Sequence, residues 1–380
     1  MANQEYLSWL HISDFHVGMK GAGLLWTQIK QRMIEDIINH STRHGAIDLV
    51  IFSGDIVQKG EEAEFNLALK ELVELWEAFE TVGPPPKLFL VPGNHDLVRP
   101  SKTDPIALAV AAYNAELEVA IFEKKHDHYI QGIEKSFHNY TSFLAKLTNS
   151  GIPVMSDKKG ILPGDHSAIF EKSGVSVGLV GINSSWTHIF DGDMQGKLSL
   201  SHHQLFNSVD GNLPQWIDNN DINLIVTHHP ANWFTEHSQE VFLNEVSPSG
   251  WFDAHLHGHM HESMSKSESV NSSPGRLSIQ VASLFGLDSY GTGKKIRTHG
   301  YYFAKICLAE HKYTSWPRKA IQVGGGGWQI KKDQIAVPDD EQSSNTTDII
   351  LNSKKAQKKS PKNFQSQRPT SPRKLKEILN

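Results

Sequence analysis

The chain has 380 residues, 38% of them hydrophobic and 21% charged, which implies a globular protein with a substantial core. A net charge of −5 does not by itself point to a polyanionic partner, and the single cysteine, Cys307, excludes an internal disulfide and a thiolate metal cluster. The cysteine usage fits a reducing compartment, so a cytoplasmic location is expected; the start MANQEYLSWLHIS lacks the pattern of a signal peptide, and no run of 18 apolar residues exists to span a membrane.

In chain order, five short apolar runs read as strands, and each ends in polar residues able to hold metal. Leu7 to Ser13 precedes Asp14-Phe15-His16, and Ile47 to Ser53 precedes Gly54-Asp55. Lys87 to Val91 leads to Gly93-Asn94-His95-Asp96, Ile222 to Thr227 to His228-His229-Pro230, and Trp251 to His257 to Gly258-His259-Met260-His261. Between the first two runs, Trp26, Ile29, Met33 and Ile37 make one helical face; between the second and third, Phe65, Leu69, Leu72, Trp76 and Phe79 make another. Alternating strand and helix predicts right-handed crossovers and a largely parallel sheet, whose sites lie beyond the carboxyl ends of the strands. The five clusters can therefore converge on one edge.

Residues 105–149 read as mostly helical, and the runs Ser167 to Phe170 and Val175 to Asn183 as strands. Leu277 to Leu284 and Tyr301 to Leu308 look like a hairpin pair with a long connection, extending a second sheet. Gly324 to Gly327 should form a turn in a less legible stretch, 316–338. From Asp339 onward large apolar residues thin out, which predicts a disordered tail. Residues 353–380 hold nine Lys or Arg and one Glu, against 28 basic and 41 acidic residues in 1–352. That tail reads equally as a solubilising segment or as an arm for nucleic acid or an acidic protein partner.

The histidine count, 21, is the unusual feature. In FDAHLHGHMHES (252–263) four histidines alternate. Period two puts His255 and His257 on one strand face, as residues that pack or support the ligands from behind; His259 and His261 lie past Gly258, where the chain leaves the sheet. Asp and His suit manganese, iron or zinc, an Asn oxygen is a neutral donor, and a carboxylate can bridge two ions. Two ions about 3.5–4 Å apart can hold a hydroxide and clamp a phosphate, while a nearby histidine protonates the leaving oxygen. Taken singly, Asp14 could cap a helix, Asn94 could be a turn residue and His228 a satisfied core histidine.

The blocks SDFHVG, SGDIVQKG, VPGNHD, THHP and HGHMH, in this order and each after a strand, resemble the calcineurin-like metallophosphoesterase superfamily over about residues 5–310. The resemblance implies an α/β fold, a four-layer sandwich of two mixed β-sheets flanked by helices, with a metal site at the carboxyl ends of the strands. It divides the chain into a catalytic domain over 1–315 with a helical insert at about 101–150, an extension over 316–338 and the tail over 339–380. It further implies that Asp14, His16 and His261 hold one divalent ion, Asn94, His228 and His259 a second, and that Asp55 bridges them. Manganese leads as the metal, with iron, zinc, cobalt or nickel as alternatives. His95 would be the general acid, and Asp96 would orient it. Arg99 is a candidate to meet a phosphate, with a surface salt bridge the more common outcome; His229 is a candidate to face substrate or to support the ligands from behind, with packing against Pro230 serving equally.

The wording around SGDIVQKGEEAEFNLA, VPGNHD and THHP is similar to class III cyclic-nucleotide phosphodiesterases, and VGINSSW with THHPANWF is similar to metallophosphoesterases of bacterial defence proteins. These similarities imply a phosphodiesterase acting on a nucleotide or nucleic acid by attack of a metal-bridging hydroxide. A phosphomonoesterase or protein phosphatase, and a non-catalytic scaffold, remain open as alternatives.

Overall fold

The computed structural model describes residues 6–348, apart from 21, 210–211, 261–262, 269–275, 291–293, 308–309, 311 and 340–341. The chain begins β1 (Tyr6–Ile12), α1 (Ala22–His44), β2 (Leu49–Phe52), α2 (Glu62–Glu80) and β3 (Lys87–Leu90). The helical insert follows: α3 (Pro105–Ala111), α4 (Ala115–Glu118), a wide turn at Val119–Glu123, α5 (Asp127–Ser136) and α6 (His138–Asn149). Next come β4 (Lys158–Lys159), β5 (His166–Lys172), β6 (Val175–Gly181), α7 (His202–Ser208), α8 (Leu213–Asn219), β7 (Ile222–Val226) and α9 (Glu236–Val241). A second wide turn at Phe242–Val246 leads to β8 (Ala254–His257), β9 (Met264–Glu268) and β10 (Arg276–Gln280). The last part holds β11 (Gly286–Tyr290), β12 (Lys294–Thr298), β13 (Gly300–Cys307), β14 (Lys312–Gln322), β15 (Trp328–Lys332) and β16 (Asn345–Asp348).

These strands build two mixed sheets and one separate hairpin. The first sheet runs β15-β14-β13-β1-β2-β3, with β16 also paired to β14; the second runs β4-β5-β6-β7-β8-β10-β9; β11 and β12 pair with each other. Within the first, β1, β2 and β3 are parallel, as the two helical crossovers require. Ile29, Met33 and Ile37 of α1 and Phe65, Leu72 and Trp76 of α2 cover Leu10, Val50, Phe52 and Leu90 on its outer face. Its inner face, with Trp9, Ile51 and Phe89, packs on Leu179, Leu224 and Leu256 of the second sheet. The outer face of that sheet, Val180 and Ile225, is covered by Leu205 of α7 and Ile217 of α8. The result is four layers, helix, sheet, sheet, helix, because both sheets carry apolar residues on both faces. The insert adds a core of its own, in which Leu97, Val110, Phe122 and Phe137 pack on Trp186 and Ile189.

Three expectations need correction. The runs expected to pair as a hairpin lie in different sheets: β10 is parallel to β8, and β13 is antiparallel to β1. Each is buried on both faces, and a continuous apolar run does not reveal which of two stacked sheets it joins. The division expected at residue 315 falls inside β14, whose Trp316 and Ala320 belong to the core of the first sheet. The tail expected from residue 339 is shortened at its start by β16, whose sequence NTTD pairs with Lys312–Ser315 through backbone bonds. A polar edge strand of this kind buries little and leaves no compositional trace. The basic stretch 353–380 lies outside the described residues.

Candidate metal centre

The loops after β1, β2 and β3 are laced together by their backbones. The Asp14 amide donates to the Gly54 carbonyl (2.9 Å), and the Phe15 and His16 amides both donate to the Asp55 carbonyl (2.8 and 3.1 Å). Six non-glycine residues with positive φ occur among the described residues; four of them are Asp14 (53°), His16 (49°), Asp55 (57°) and His259 (70°). Such backbone costs about 1–3 kcal/mol per residue and persists where surrounding structure imposes it, typically at functional sites. The strain falls on four residues that the sequence pattern marks as ligands. Gly93 is required by contact: a Cβ there would overlap the Asp55 carboxylate.

Two groups of donor atoms meet at Asp55. In one, His228 Nε2 lies 3.1 Å from Asn94 Oδ1, 3.1 Å from His259 Nδ1 and 3.3 Å from Asp55 Oδ2. In the other, His16 Nε2 lies 3.8 Å from Asp14 Oδ1 and 4.0 Å from the same Asp55 Oδ2. The second Asp55 oxygen accepts from the His95 amide at 2.8 Å. His228 donates from Nδ1 to the Ser53 carbonyl (2.8 Å), which aims Nε2 at Asp55, Asn94 and His259. Donors around a common ion at about 2.0–2.2 Å sit roughly 3–3.6 Å apart, so the first group fits a divalent ion closely and the second after a small contraction. Asp14, His16, Asp55, Asn94 and His228 are buried. His261, expected in the second group, lies outside the described residues.

Electrostatics agree with this arrangement. Burial alone would raise the pKa of Asp55, but the facing His228, His95 and His16 outweigh it and hold the group well below the usual carboxylate range. Burial works against protonation of His228, yet Asp55 and Asp14 push it up to about 9. Burial and then the charge of His228 lower His259, which stays neutral and able to donate a lone pair.

His95 is partly exposed, with its ring 4.9 Å from that of His16 and its Nδ1 2.7 Å from the Gln58 carbonyl. Asp96 does not orient it, contrary to the sequence reading. Its carboxylate accepts from the Val57 and Gly93 amides (3.0 and 2.8 Å) and so fastens the 93–96 turn to the strand-end loop at 57. Neighbours in a tight turn aim their side chains apart, so adjacency in sequence is a poor guide here. Burial, then the negative charge of Asp55, raises the pKa of Asp96 against those two donors.

His229 does not face substrate; it lies behind the candidate ligands, its ring centroid 4.5 Å from that of His259, as one of the alternatives read from the sequence had it. Its ring is fully buried, 3.0 Å from Ser184 Oγ and 3.3 Å from His188 Nδ1. Arg99 donates to the Asn94 carbonyl (3.2 Å) and pairs with Asp191 (3.2 Å), so it braces the candidate ligand Asn94 and forms the salt bridge that was the alternative. His255 and His257 are packing residues, bonded to Thr227 Oγ1 (2.8 Å) and Ser278 Oγ (2.9 Å). Sequence reading missed Gln58 and Ser53, which act through carbonyls and carry no side-chain signal. It also missed Trp233, whose ring stands edge-on 4.0 Å from His259; its neighbour THHP was the only pointer.

Comparison with known proteins places this site in a family. The calcineurin-like phosphoesterase family matches residues 7–263, more than half of the chain. No curated protein matches it. Among solved structures, Chaetomium thermophilum Vps29 is similar at 9% identity, covering 91% of this chain and 98% of its own, with a TM-score of 0.34. The purple acid phosphatase PPD1 from yellow lupin (Lupinus luteus) seeds is 10% identical, covering 87% of this chain and 54% of its own, with a TM-score of 0.42. The protein AQ665 from Aquifex aeolicus is 13% identical, covering 67% and 80%, with a TM-score of 0.23. With the family match spanning all five sequence blocks, the chain belongs to the calcineurin-like phosphoesterases and is a metal-dependent phosphoesterase.

Proposed function

We propose that the protein is a binuclear phosphodiesterase acting on a nucleotide or nucleic acid. The observation that carries the binuclear reading is the Asp55 carboxylate, whose Oδ2 is shared by the two donor groups. Asp14, His16, Asp55 and, from the sequence pattern, His261 would hold one ion; Asp55, Asn94, His228 and His259 would hold the other. When bound, such ions supply Lewis acidity and lower the pKa of water enough to give a nucleophile at neutral pH. Manganese suits the mixture of carboxylate, amide and imidazole donors; iron, zinc, cobalt and nickel are the alternatives to test.

The chain's own residues do the rest. The Gln58 carbonyl can only accept, so it keeps a proton on His95 Nδ1 and leaves Nε2 to carry the proton given to the leaving oxygen. The Asp55 bond to the His95 amide keeps that histidine in register with the bridging carboxylate.

Two features support a diester of nucleotide type: the wording of the SGDIVQKG, VPGNHD and THHP blocks, and the nine basic residues of 353–380, which suit a polyanion or an acidic protein partner. A cytoplasmic setting suits a chain with one cysteine, the buried free thiol of Cys307. The test is hydrolysis of matched mono- and bis-p-nitrophenyl phosphate with manganese. It is followed by a panel of cyclic nucleotides, dinucleotides, single- and double-stranded DNA, and RNA. At least tenfold preference for the diester is expected; equal or greater monoesterase activity overturns the diester reading in favour of a phosphatase.

A further inference from the structure

A second cluster of metal-binding side chains lies away from the centre, where the insert meets the body. Glu118 ends α4, His202 and His203 open α7, and each offers one ligand atom within 4.8 Å of the others. Two more carboxylates close the group. Glu245, from the turn after α9, places Oε2 3.1 Å from His202 Nδ1, and Glu123, from the turn after α4, places Oε1 3.7 Å from His203 Nε2. The two imidazoles lie side by side, tilted by 34°, with ring centroids 4.1 Å apart.

Charge makes this cluster unlike an ordinary polar surface. Three carboxylates converge on the two imidazoles, and among the described residues no lysine or arginine forms an ion pair with any of the three. A divalent cation would offset that charge. Two imidazoles and a carboxylate are a zinc-type donor set, and the spacings need only side-chain rotation to close to roughly 3–3.6 Å. Glu118 is already anchored, because Ser201 Oγ donates to its Oε1.

We propose that Glu118, His202 and His203, assisted by Glu123 and Glu245, form a separate site for one zinc-class divalent ion that fastens the helical insert to the body. The site draws on the insert for Glu118 and Glu123 and on the body for His202, His203 and Glu245. The His203 ring stacks on Phe122 at 6.0 Å, and Phe122 packs on Trp186. Trp186 lies two residues before His188, whose ring is bonded to His229. The ion would thus steady the insert against the loop beside the catalytic centre, without taking part in its chemistry.

The test uses the full chain with zinc alone, in a background carrying Asp55→Asn and His228→Ala so that the centre is disabled. One zinc equivalent per chain is expected to survive dialysis, to raise the melting temperature and, replaced by cobalt, to give a visible absorption band. Adding His203→Ala or Glu118→Gln should weaken zinc at least tenfold and remove both signals, while the melting temperature without metal stays that of the background. The same one-equivalent loss is expected on placing His203→Ala in the otherwise unaltered chain, which serves if the background does not fold. Absence of zinc from the background, or zinc and cobalt signals unchanged by both substitutions, overturns the proposal. Loss of phosphoesterase chemistry would leave this outcome untouched, since the readout is metal content.

Discussion

The carbonyl oxygen of Gln58 lies 2.7 Å from Nδ1 of His95, fixing which nitrogen of the ring is free for chemistry. If His95 gives its proton to the leaving oxygen, the benefit depends on how much that oxygen needs one. His95→Ala should lower kcat by about 10²–10⁴ for a substrate with an alkoxide leaving group. For a p-nitrophenyl ester, whose leaving group departs unprotonated, the loss should be at least tenfold smaller. Steady-state kinetics on the two substrates decide it. Equal losses would show that His95 binds the phosphate and is not the acid.

Asp55 joins the two donor groups and also holds the His95 amide. Asp55→Asn keeps the shape and the acceptor for that amide but removes the negative charge. Divalent metal content should fall by at least one equivalent, and kcat by about 10³ or more, the order seen when a group that organises transition-state electrostatics is lost. Elemental analysis beside the assay checks both; full metal content with full activity would remove Asp55 from the bridging role.

A Cβ on Gly258 would overlap Ser13 Oγ and sit 2.7 Å from Asp14 Oδ2. Gly258→Ala should therefore push the β8 loop off the β1 loop, costing about 1–3 kcal/mol by overpacking and displacing the His259 amide from Asp14, now 3.0 Å away. Denaturation midpoint and metal affinity should both drop. Adding Ser13→Gly, which removes the hydroxyl, should restore part of each, as expected of contacting residues. No recovery would place the effect in the backbone alone.

The candidate metal centre was legible in the sequence because its residues sit at strand ends, and strand ends are marked by where an apolar run stops. Asp14, Asp55, Asn94 and His228 each follow such a stop, so pattern alone brought them to one edge. What failed depended on direction or partner choice. Asp96 follows His95 yet points into the Val57 and Gly93 amides. His229 follows His228 yet turns inward to Ser184. Strand β13 could have joined either sheet, because Tyr302 faces the inter-sheet core while Tyr301 and Phe303 face the helices. Periodicity reports that a residue is buried, not which neighbour buries it.

Asp165 and His166 are adjacent, buried and shifted in opposite senses, and the pH dependence of stability should reveal it. Burial pushes Asp165 up to about 7, against donors from the Asn183 amide and the Gln204 side chain. Because the folded pKa lies above the ordinary 3.8, the folded state holds the proton more tightly. The stability from Asp165 is full below that value and is lost as pH rises through about 7. Burial lowers His166 from 6.5 to about 4, so its contribution is full above 6.5 and is lost as pH falls through about 4. Between pH 4 and 6.5 the two slopes oppose each other, and the wild-type curve should look flat with respect to this pair. Asp165→Asn keeps an acceptor for the Asn183 amide and removes the first slope. Relative to wild type, the variant should gain stability as pH rises from 4 to 7, by on the order of a few kcal/mol, and level off above that. Urea midpoints at pH 4.5, 5.5, 6.5, 7.5 and 8.5 measure the difference. A difference that stays constant with pH would mean that Asp165 remains ionised in the folded protein throughout, with the Asn183 and Gln204 donors outweighing its burial.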